Sequence, residues 1–271
     1  MLNYIVYFIG AYIITRFSIK KILFLLETGD ATRENYRKEK IPVSSGIFFV
    51  PLIIVNSIFI ILLEKNIEII PLSIFLIGTI TMAFLGLCDD LLGNRNITGL
   101  KGHLLYILKG KLSTGGLKAV IGGAVAFTIS LLMSKEYVDV VVNTLVIALF
   151  TNFINLLDLR PGRAIKGFLV CSLIVFVYPI NYMVKNYIYT LYGGILAYVK
   201  YDLKAKSMLG DVGSNLMGVS LGILWVYNTG IEIRSIVLVF LILIHLYAEK
   251  YSITKTIEKV SLLKYIDDLG R

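Results

Sequence analysis

Four carboxylates and a stretch rich in glycine and cations hold most of the chemistry open to this sequence. Asp89 and Asp90 close the apolar run in FLGLCDDLLGNRN, Asp158 closes the run in TNFINLLDLRPGR, and Asp211 opens KSMLGDVGSNLMG. Carboxylates gathered at one edge of a fold suit a hard cation. Mg2+ takes oxygen ligands in an octahedral shell and commonly shares them with substrate phosphates. After Asp89 and Asp90 come Arg95, Lys101, Lys109, Lys111 and Lys118, interrupted by Gly93, Gly99, Gly102, Gly110, Gly115 and Gly116. Backbone amides freed by glycine, together with fixed cations, can hold a diphosphate. Gly213 and Ser214 stand at the start of a helix, where unpaired N–H groups and the helix dipole favour anions.

The elements that must position these residues are read from composition. Of 271 residues, 57% are hydrophobic and 17% charged, with a mean hydropathy of +0.80. A soluble domain is about 45–50% apolar and about 25% charged, and a chain of this size cannot hide the excess from water. The composition excludes a soluble enzyme, a disordered chain and a disulfide-stapled secreted domain. It predicts an all-α, polytopic integral membrane protein.

Nine apolar runs approach the roughly 20 residues a spanning helix needs: 2–24, 46–63, 67–87, 117–133, 138–156, 165–180, 186–199, 212–228 and 234–249. The first has no basic residue before Arg16 and no small-residue cleavage site after it, so it reads as a retained span rather than a signal peptide. With nine spans, 23 of the 27 Lys and Arg residues fall on one side. Only Lys65, Lys135, Lys185 and Arg234 fall on the other. That asymmetry predicts the N-terminus outside and the C-terminus in the cytoplasm, with all four carboxylates on the cytoplasmic edge. It also accounts for the net charge of +9 without nucleic acid. Residues 1–249 form the membrane domain. Residues 250–271 read either as an amphipathic helix on the membrane surface or as a solvated tail.

Each feature also has a plainer reading. Asp89 and Asp90 could be a solvated helix end, the glycine–lysine stretch a connector, and Asp211 a helix cap. Asn152 and Asn155 could be interhelical hydrogen-bond partners, and Gly218 and Gly222 a small-xxx-small packing pair. His103 reads as a surface histidine and His245 as a packed one with a single hydrogen bond. Cys88 and Cys171 lie in apolar runs and read as packing residues. The functional expectation rests on several such features falling on one face.

Together these residues resemble the polyprenyl-phosphate sugar-1-phosphate transferase superfamily. It includes the phospho-MurNAc-pentapeptide translocase and the enzymes that load N-acetylglucosamine-1-phosphate onto undecaprenyl phosphate. Four stretches are similar to the family's motifs, in its order: RENYRKEKIPVSSGIFF (33–49), GLCDDLLGNRN, NFINLLDL and LGDVGSNLMG. The likeness runs from about residue 30 to 225. It implies transfer of a sugar-1-phosphate, of the N-acetylhexosamine type, from a UDP-sugar to polyprenyl phosphate with release of UMP, in cell-envelope glycan assembly. It implies Mg2+, with Mn2+ as the alternative, and a bacterial plasma membrane with the active face cytoplasmic. By this resemblance Asp211 is the first metal ligand. Asp89 and Asp90 orient or deprotonate the lipid phosphate, and Asp89 completes the metal site. Asp158, Asn152 and Asn155 shape the nucleotide pocket, and Lys101 and Lys111 neutralise phosphate. A homodimer also fits the family.

The sequence departs from the family in two places. Where relatives continue the third segment as Asp-Gly-x-Asp-Gly, this chain reads Asp158-Leu159-Arg160-Pro161-Gly162-Arg163. It also lacks the relatives' histidine-rich cytoplasmic loop and one final span, as expected of a shortened member. Those departures keep a second reading open, a catalytically inactive scaffold that binds lipid carrier or partner enzymes. A transporter or channel is the third, weakened because the acidic residues sit at span ends.

Overall fold

The computed structural model of the chain describes residues 2–64, 67–93, 102, 106 and 110–271. Among these residues each of the nine apolar runs is helical: α1 (Leu2–Thr28), α2 (Phe49–Leu63), α3 (Ile69–Leu92), α4 (Thr114–Met133), α5 (Tyr137–Leu157), α6 (Arg163–Val175), α7 (Tyr182–Leu203), α8 (Gly210–Asn228) and α9 (Ile231–Lys250). Helix is the element that satisfies every backbone N–H and C=O within one segment, as a membrane interior requires. Five stretches are long and apolar enough to cross a membrane by length and composition: Ser45–Leu63, α3, α4, α5 and α9. The protein is an all-α polytopic membrane protein.

One boundary differs from expectation. The run 165–180 ends as a helix at Val175, and its 13 residues cover only about 20 Å at 1.5 Å each, less than a bilayer core. Pro179 lies just beyond, and the residue before a proline is pushed out of the helical region. The chain turns at Phe176–Tyr178 and restarts in α7, where the Asn181 side chain accepts from the Met183 and Val184 N–H groups.

Helix α8 is the axis of the bundle. It is buried from Val212 to Val226, with α3, α5, α6 and the loop between α1 and α2 packed around it. Lipid tails are as apolar as leucine, so close packing rather than water exclusion holds such helices together. Gly218 and Gly222 supply it. A Cβ at either position would run into the backbone of α5, at Thr151 and Ile147 respectively.

Between α1 and α2 lies a small hairpin, β1 (Thr32–Glu34) paired antiparallel with β2 (Lys40–Pro42) and followed by a 3-10 turn, Ser45–Phe48. Asn35 builds its bend, with its side-chain oxygen accepting from the Arg37 and Glu39 N–H groups. The C-terminal segment folds into two short helices, α10 (Ile253–Lys259) and α11 (Ser261–Asp268). Cys88 and Cys171 are free and half-buried. His245 Nδ1 lies 2.7 Å from the Leu241 carbonyl oxygen.

Candidate functional site

The ends of α3, α4, α5, α7 and α8 converge with the first loop at one end of the bundle. Lys118, one turn into α4, sits between two carboxylates: its Nζ is 3.0 Å from Asp89 Oδ2 and 2.6 Å from Asp211 Oδ2. The turn that aims it starts at Ser113, whose hydroxyl accepts from the Gly116 N–H and so caps α4. The Asn155 amide fits in one orientation. Its NH2 donates to Asp211 Oδ1 at 2.9 Å and Ser214 Oγ at 3.1 Å, and its oxygen accepts from Lys118 at 3.2 Å. One asparagine thus ties α5 to α8 and to the ammonium.

Asp90 sits differently from Asp89. Asp90 is buried, whereas Asp89 and Asp211 keep 22% and 25% of their side-chain surface exposed. Asp90 Oδ2 accepts from Ser44 Oγ at 2.8 Å and from the Val212 N–H at 3.3 Å, and the Asp211 N–H also donates to the carboxylate. Asp90 therefore caps α8 from a different helix, placing a negative charge at the positive end of that helix dipole. Arg33 of the hairpin donates to the backbone oxygens of Asp89 and Asp90, capping the C-terminal carbonyls of α3 in the same manner.

The loop before α8 is stitched to the first loop by backbone. Met208 N donates to Pro42 O, Ser45 N to Met208 O, and Gly46 N to Leu209 O, at 2.8–3.0 Å. Gly46 and Gly213 stand back to back, so a Cβ on either would strike the other's backbone. Gly210 takes φ +74°, a left-handed conformation natural to glycine. A Cβ there would also run into Asp90 and Ser44.

Asp158 follows α5 and accepts a hydrogen bond from the Gly210 N–H. Desolvation, and then the charges of Asp202, Asp211 and Asp90, push its carboxyl well above the ordinary carboxylate range. Asp202, buried at the end of α7, accepts from the Gly162 N–H at 2.7 Å. A cavity of about 230 Å³ opens beside Asp211, with Arg33, Tyr36, Asp90, Asp158 and Arg160 in its wall. The guanidinium of Arg160 lies 5.1 Å from the centre of the Tyr36 ring, within cation–π reach.

Residues 72–229 match glycosyl transferase family 4. The chain belongs to this family, that of the polyprenyl-phosphate sugar-1-phosphate transferases. The match begins in α3 and ends just past α8. It therefore takes in Asp89, Asp90, Lys118, Asn155, Asp158 and Asp211, and leaves the hairpin and the C-terminal helices outside. No curated protein matches the chain. Family 4 membership makes the protein a membrane transferase that handles a sugar phosphate on a lipid carrier.

Among the residues singled out from sequence, the fold gathers Asp89, Asp211, Asn155 and Ser214 around Lys118, with Asp90 and Asp158 flanking Asp211. Asn152 is exposed on α5, one turn before Asn155, and has no side-chain partner among the described residues. Lys111 lies 5.9 Å from the centre of the Tyr106 ring and contacts none of the carboxylates. Lys101 and His103 fall outside the described residues. The start of α8 is not the open anion cradle expected of Gly213 and Ser214. Asp90 takes the amides of residues 211 and 212, Gly213 packs on Gly46, and Ser214 is buried against Asn155.

Four site residues were not singled out from sequence: Lys118 as the partner of Asp89 and Asp211, Ser44, Arg33 and Asp202. Asp202 carried a readable signal. Like Asp158, it is a lone acid closing an apolar run on the basic face.

Proposed function

We propose that this protein transfers a sugar-1-phosphate, of the N-acetylhexosamine type, from a UDP-sugar to polyprenyl phosphate. The reaction releases UMP at the cytoplasmic face of a bacterial plasma membrane, in assembly of a cell-envelope glycan. The observation that carries the reading is the convergence of Asp89 and Asp211 on one cation position, occupied by the Lys118 ammonium. Both carboxylates keep about a quarter of their side-chain surface exposed, and Asp211 lines the cavity, whereas Asp90 is buried against Ser44 and the start of α8.

Among the described residues no three metal-ligating side chains gather on one point, but two carboxylates do. Mg2+ is commonly held by one or two carboxylates, with water and substrate phosphates completing its shell. Asp89 and Asp211 fit that donor set. When bound, Mg2+ supplies neutralisation of the diphosphate charge.

The chain's own residues do the rest. An oxygen of the lipid phosphate attacks the β-phosphorus of the UDP-sugar. A P–O bond forms there while the bond from the β-phosphorus to the oxygen bridging to the α-phosphorus breaks, and UMP leaves. The lipid phosphate has a second pKa near 6, so at neutral pH it is mostly dianionic and gives up no proton in the attack. Catalysis is then positioning and charge stabilisation. Lys118 supplies fixed positive charge at the reacting centre, and Asn155 holds Asp211 and Lys118 in register. Asp90 and Ser44 fix the start of α8, and with it Asp211. Asp158 and Asp202 fix the turns that wall the cavity. Lys101 and Lys111, which lie between α3 and α4 in the sequence, neutralise substrate phosphate.

The test is the fate of the label when a UDP-sugar labelled in its β-phosphate is given to the purified protein with undecaprenyl phosphate and Mg2+. Label recovered in the lipid fraction supports sugar-1-phosphate transfer. Label left in UDP, with the sugar moved, contradicts it.

A further inference from the structure

The turn where the sequence departs from the motif it resembles, Leu159–Arg163, is also the one the C-terminal segment grips. Arg163 is 5% exposed and makes a bidentate pair with Asp267 of α11, Nε to Oδ1 and Nη2 to Oδ2, both at 2.8 Å. Its remaining nitrogen donates to Thr254 Oγ1 of α10 at 2.9 Å. Asp267 is itself buried and holds a second guanidinium, with Arg271 Nη2 at 2.8 Å and Nη1 at 3.1 Å. The Nε of Arg271 returns to the turn and donates to the Pro161 carbonyl oxygen at 2.9 Å. Lys166 caps the end of α11 through the Ile266 and Asp267 carbonyls, and Arg160 meets Glu258 at 3.5 Å.

A buried guanidinium is costly unless paired. Arg163 and Arg271 share one carboxylate, so removing it leaves two cations facing each other under cover. The body of the protein holds the turn at Gly162, through Asp202, and at Asp158, through Gly210. Of the residues between them, all in the cavity wall, Pro161 is held from the tail by Arg271, and Arg160 lies between Glu258 of the tail and the Tyr36 ring of the hairpin.

We propose that the C-terminal segment is a clamp on the cavity wall. Asp267, Arg163 and Arg271 are positioning residues that hold the Asp158–Gly162 turn in its binding geometry. The proposed donor reaction enters only through the kinetic arm of the test.

The experiment uses the full chain in lipid nanodiscs, as wild type, Asp267→Asn, Asp267→Glu, and a truncation ending at Lys250. Hydrogen exchange is followed in peptides covering residues 157–164, with α8 peptides as the internal reference. The clamp predicts exchange roughly tenfold faster or more in the turn for Asp267→Asn and for the truncation, at unchanged α8 protection, and recovery toward wild type in Asp267→Glu. Unchanged exchange in the turn of Asp267→Asn overturns it. So does equal loss of protection in α8, which would mean general unfolding. In transfer assays the clamp predicts a KM for the UDP-sugar raised severalfold in Asp267→Asn with kcat nearly kept. A fall in kcat at unchanged KM contradicts the positioning role. Absence of turnover in wild type would sink the transferase reading while the exchange result still decides the clamp.

Discussion

Asp90 Oδ2 lies 3.3 Å from the Val212 backbone nitrogen, so the last turn of α3 caps the first turn of α8. That contact sets where Asp211 stands, since Asp211 is the residue before Val212 and its own N–H meets the same carboxylate. The aspartate pair thus divides its work. Asp89 faces the cation position and Asp90 faces the protein.

Replacing Asp90 tests this division. Asp90→Ala removes acceptors from Ser44 and from two helix amides, and is expected to cost about 2 kcal/mol or more of stability. Asp90→Asn keeps an acceptor and should cost less, and Ser44→Ala should cost about 1 kcal/mol. Thermal unfolding in detergent measures the order. A destabilisation by Asp90→Asn equal to that of Asp90→Ala would argue against the cap.

Lys118 is expected to matter for both folding and turnover. In Lys118→Met, Asp89 and Asp211 face each other without the ammonium between them. Turnover should fall on the order of a hundredfold or more, the scale of losing one preorganised charge at a reacting centre. Rates of UMP release, set beside melting curves, separate the two effects. Turnover within a factor of about two of wild type would remove Lys118 from the site.

The close approach of α8 to its neighbours predicts a contrast among glycines. Gly86→Ala places a methyl group against the Asp211 carbonyl, and Gly213→Ala places one between α8 and the Gly46 turn. Both are expected to destabilise by roughly 1–3 kcal/mol. Gly123, on α4, has nothing within 4 Å of the added Cβ, so Gly123→Ala should be neutral or slightly stabilising. Melting temperatures of the three variants decide it, and equal losses in all three would contradict the packing.

Acid should release the clamp. Burial opposes the charge on Asp267, yet the Arg163 hydrogen bonds and the Arg163 and Arg271 charges hold its carboxyl below the ordinary range. A carboxylate with a lowered folded pKa contributes stability above its unfolded pKa, and that contribution is lost as pH falls through the folded value. The melting-temperature gap between wild type and Asp267→Asn should hold from neutral to mildly acidic pH and close in stronger acid. A gap that closes as pH rises contradicts the ion pairs.

Much of the fold was legible because a bilayer leaves few choices. Nine apolar runs became helices, and the alternation of basic loops put Asp89, Asp90, Asp158 and Asp211 at one end of the bundle. What was not legible depended on contacts distant in sequence. Gly213 and Ser214 looked like an open helix start, but Asp90, 122 positions before Val212, already fills it. Lys118 was visible as one cation among several, and only the packing of α4 on α3 and α5, which brings it to Asp89 and Asp211, selects it. Arg163 stood in the sequence only as part of a departure from the family motif. Its partner, 104 residues away, makes it structural. The early end of α6 was readable in Pro179, which an apolar count passes over.

The most direct test of the central claim is UMP release by the purified protein with undecaprenyl phosphate and a panel of UDP-sugars. It should be run with and without Mg2+, beside an Asp211→Asn variant shown by melting to be folded. Release that requires both lipid phosphate and Mg2+, and is lost in the folded variant, is the result expected. Release that persists in Asp211→Asn, or no release from any donor by folded wild-type protein, would contradict the assignment of Asp89 and Asp211 as the reacting centre. The second outcome would leave a membrane scaffold in the transferase fold.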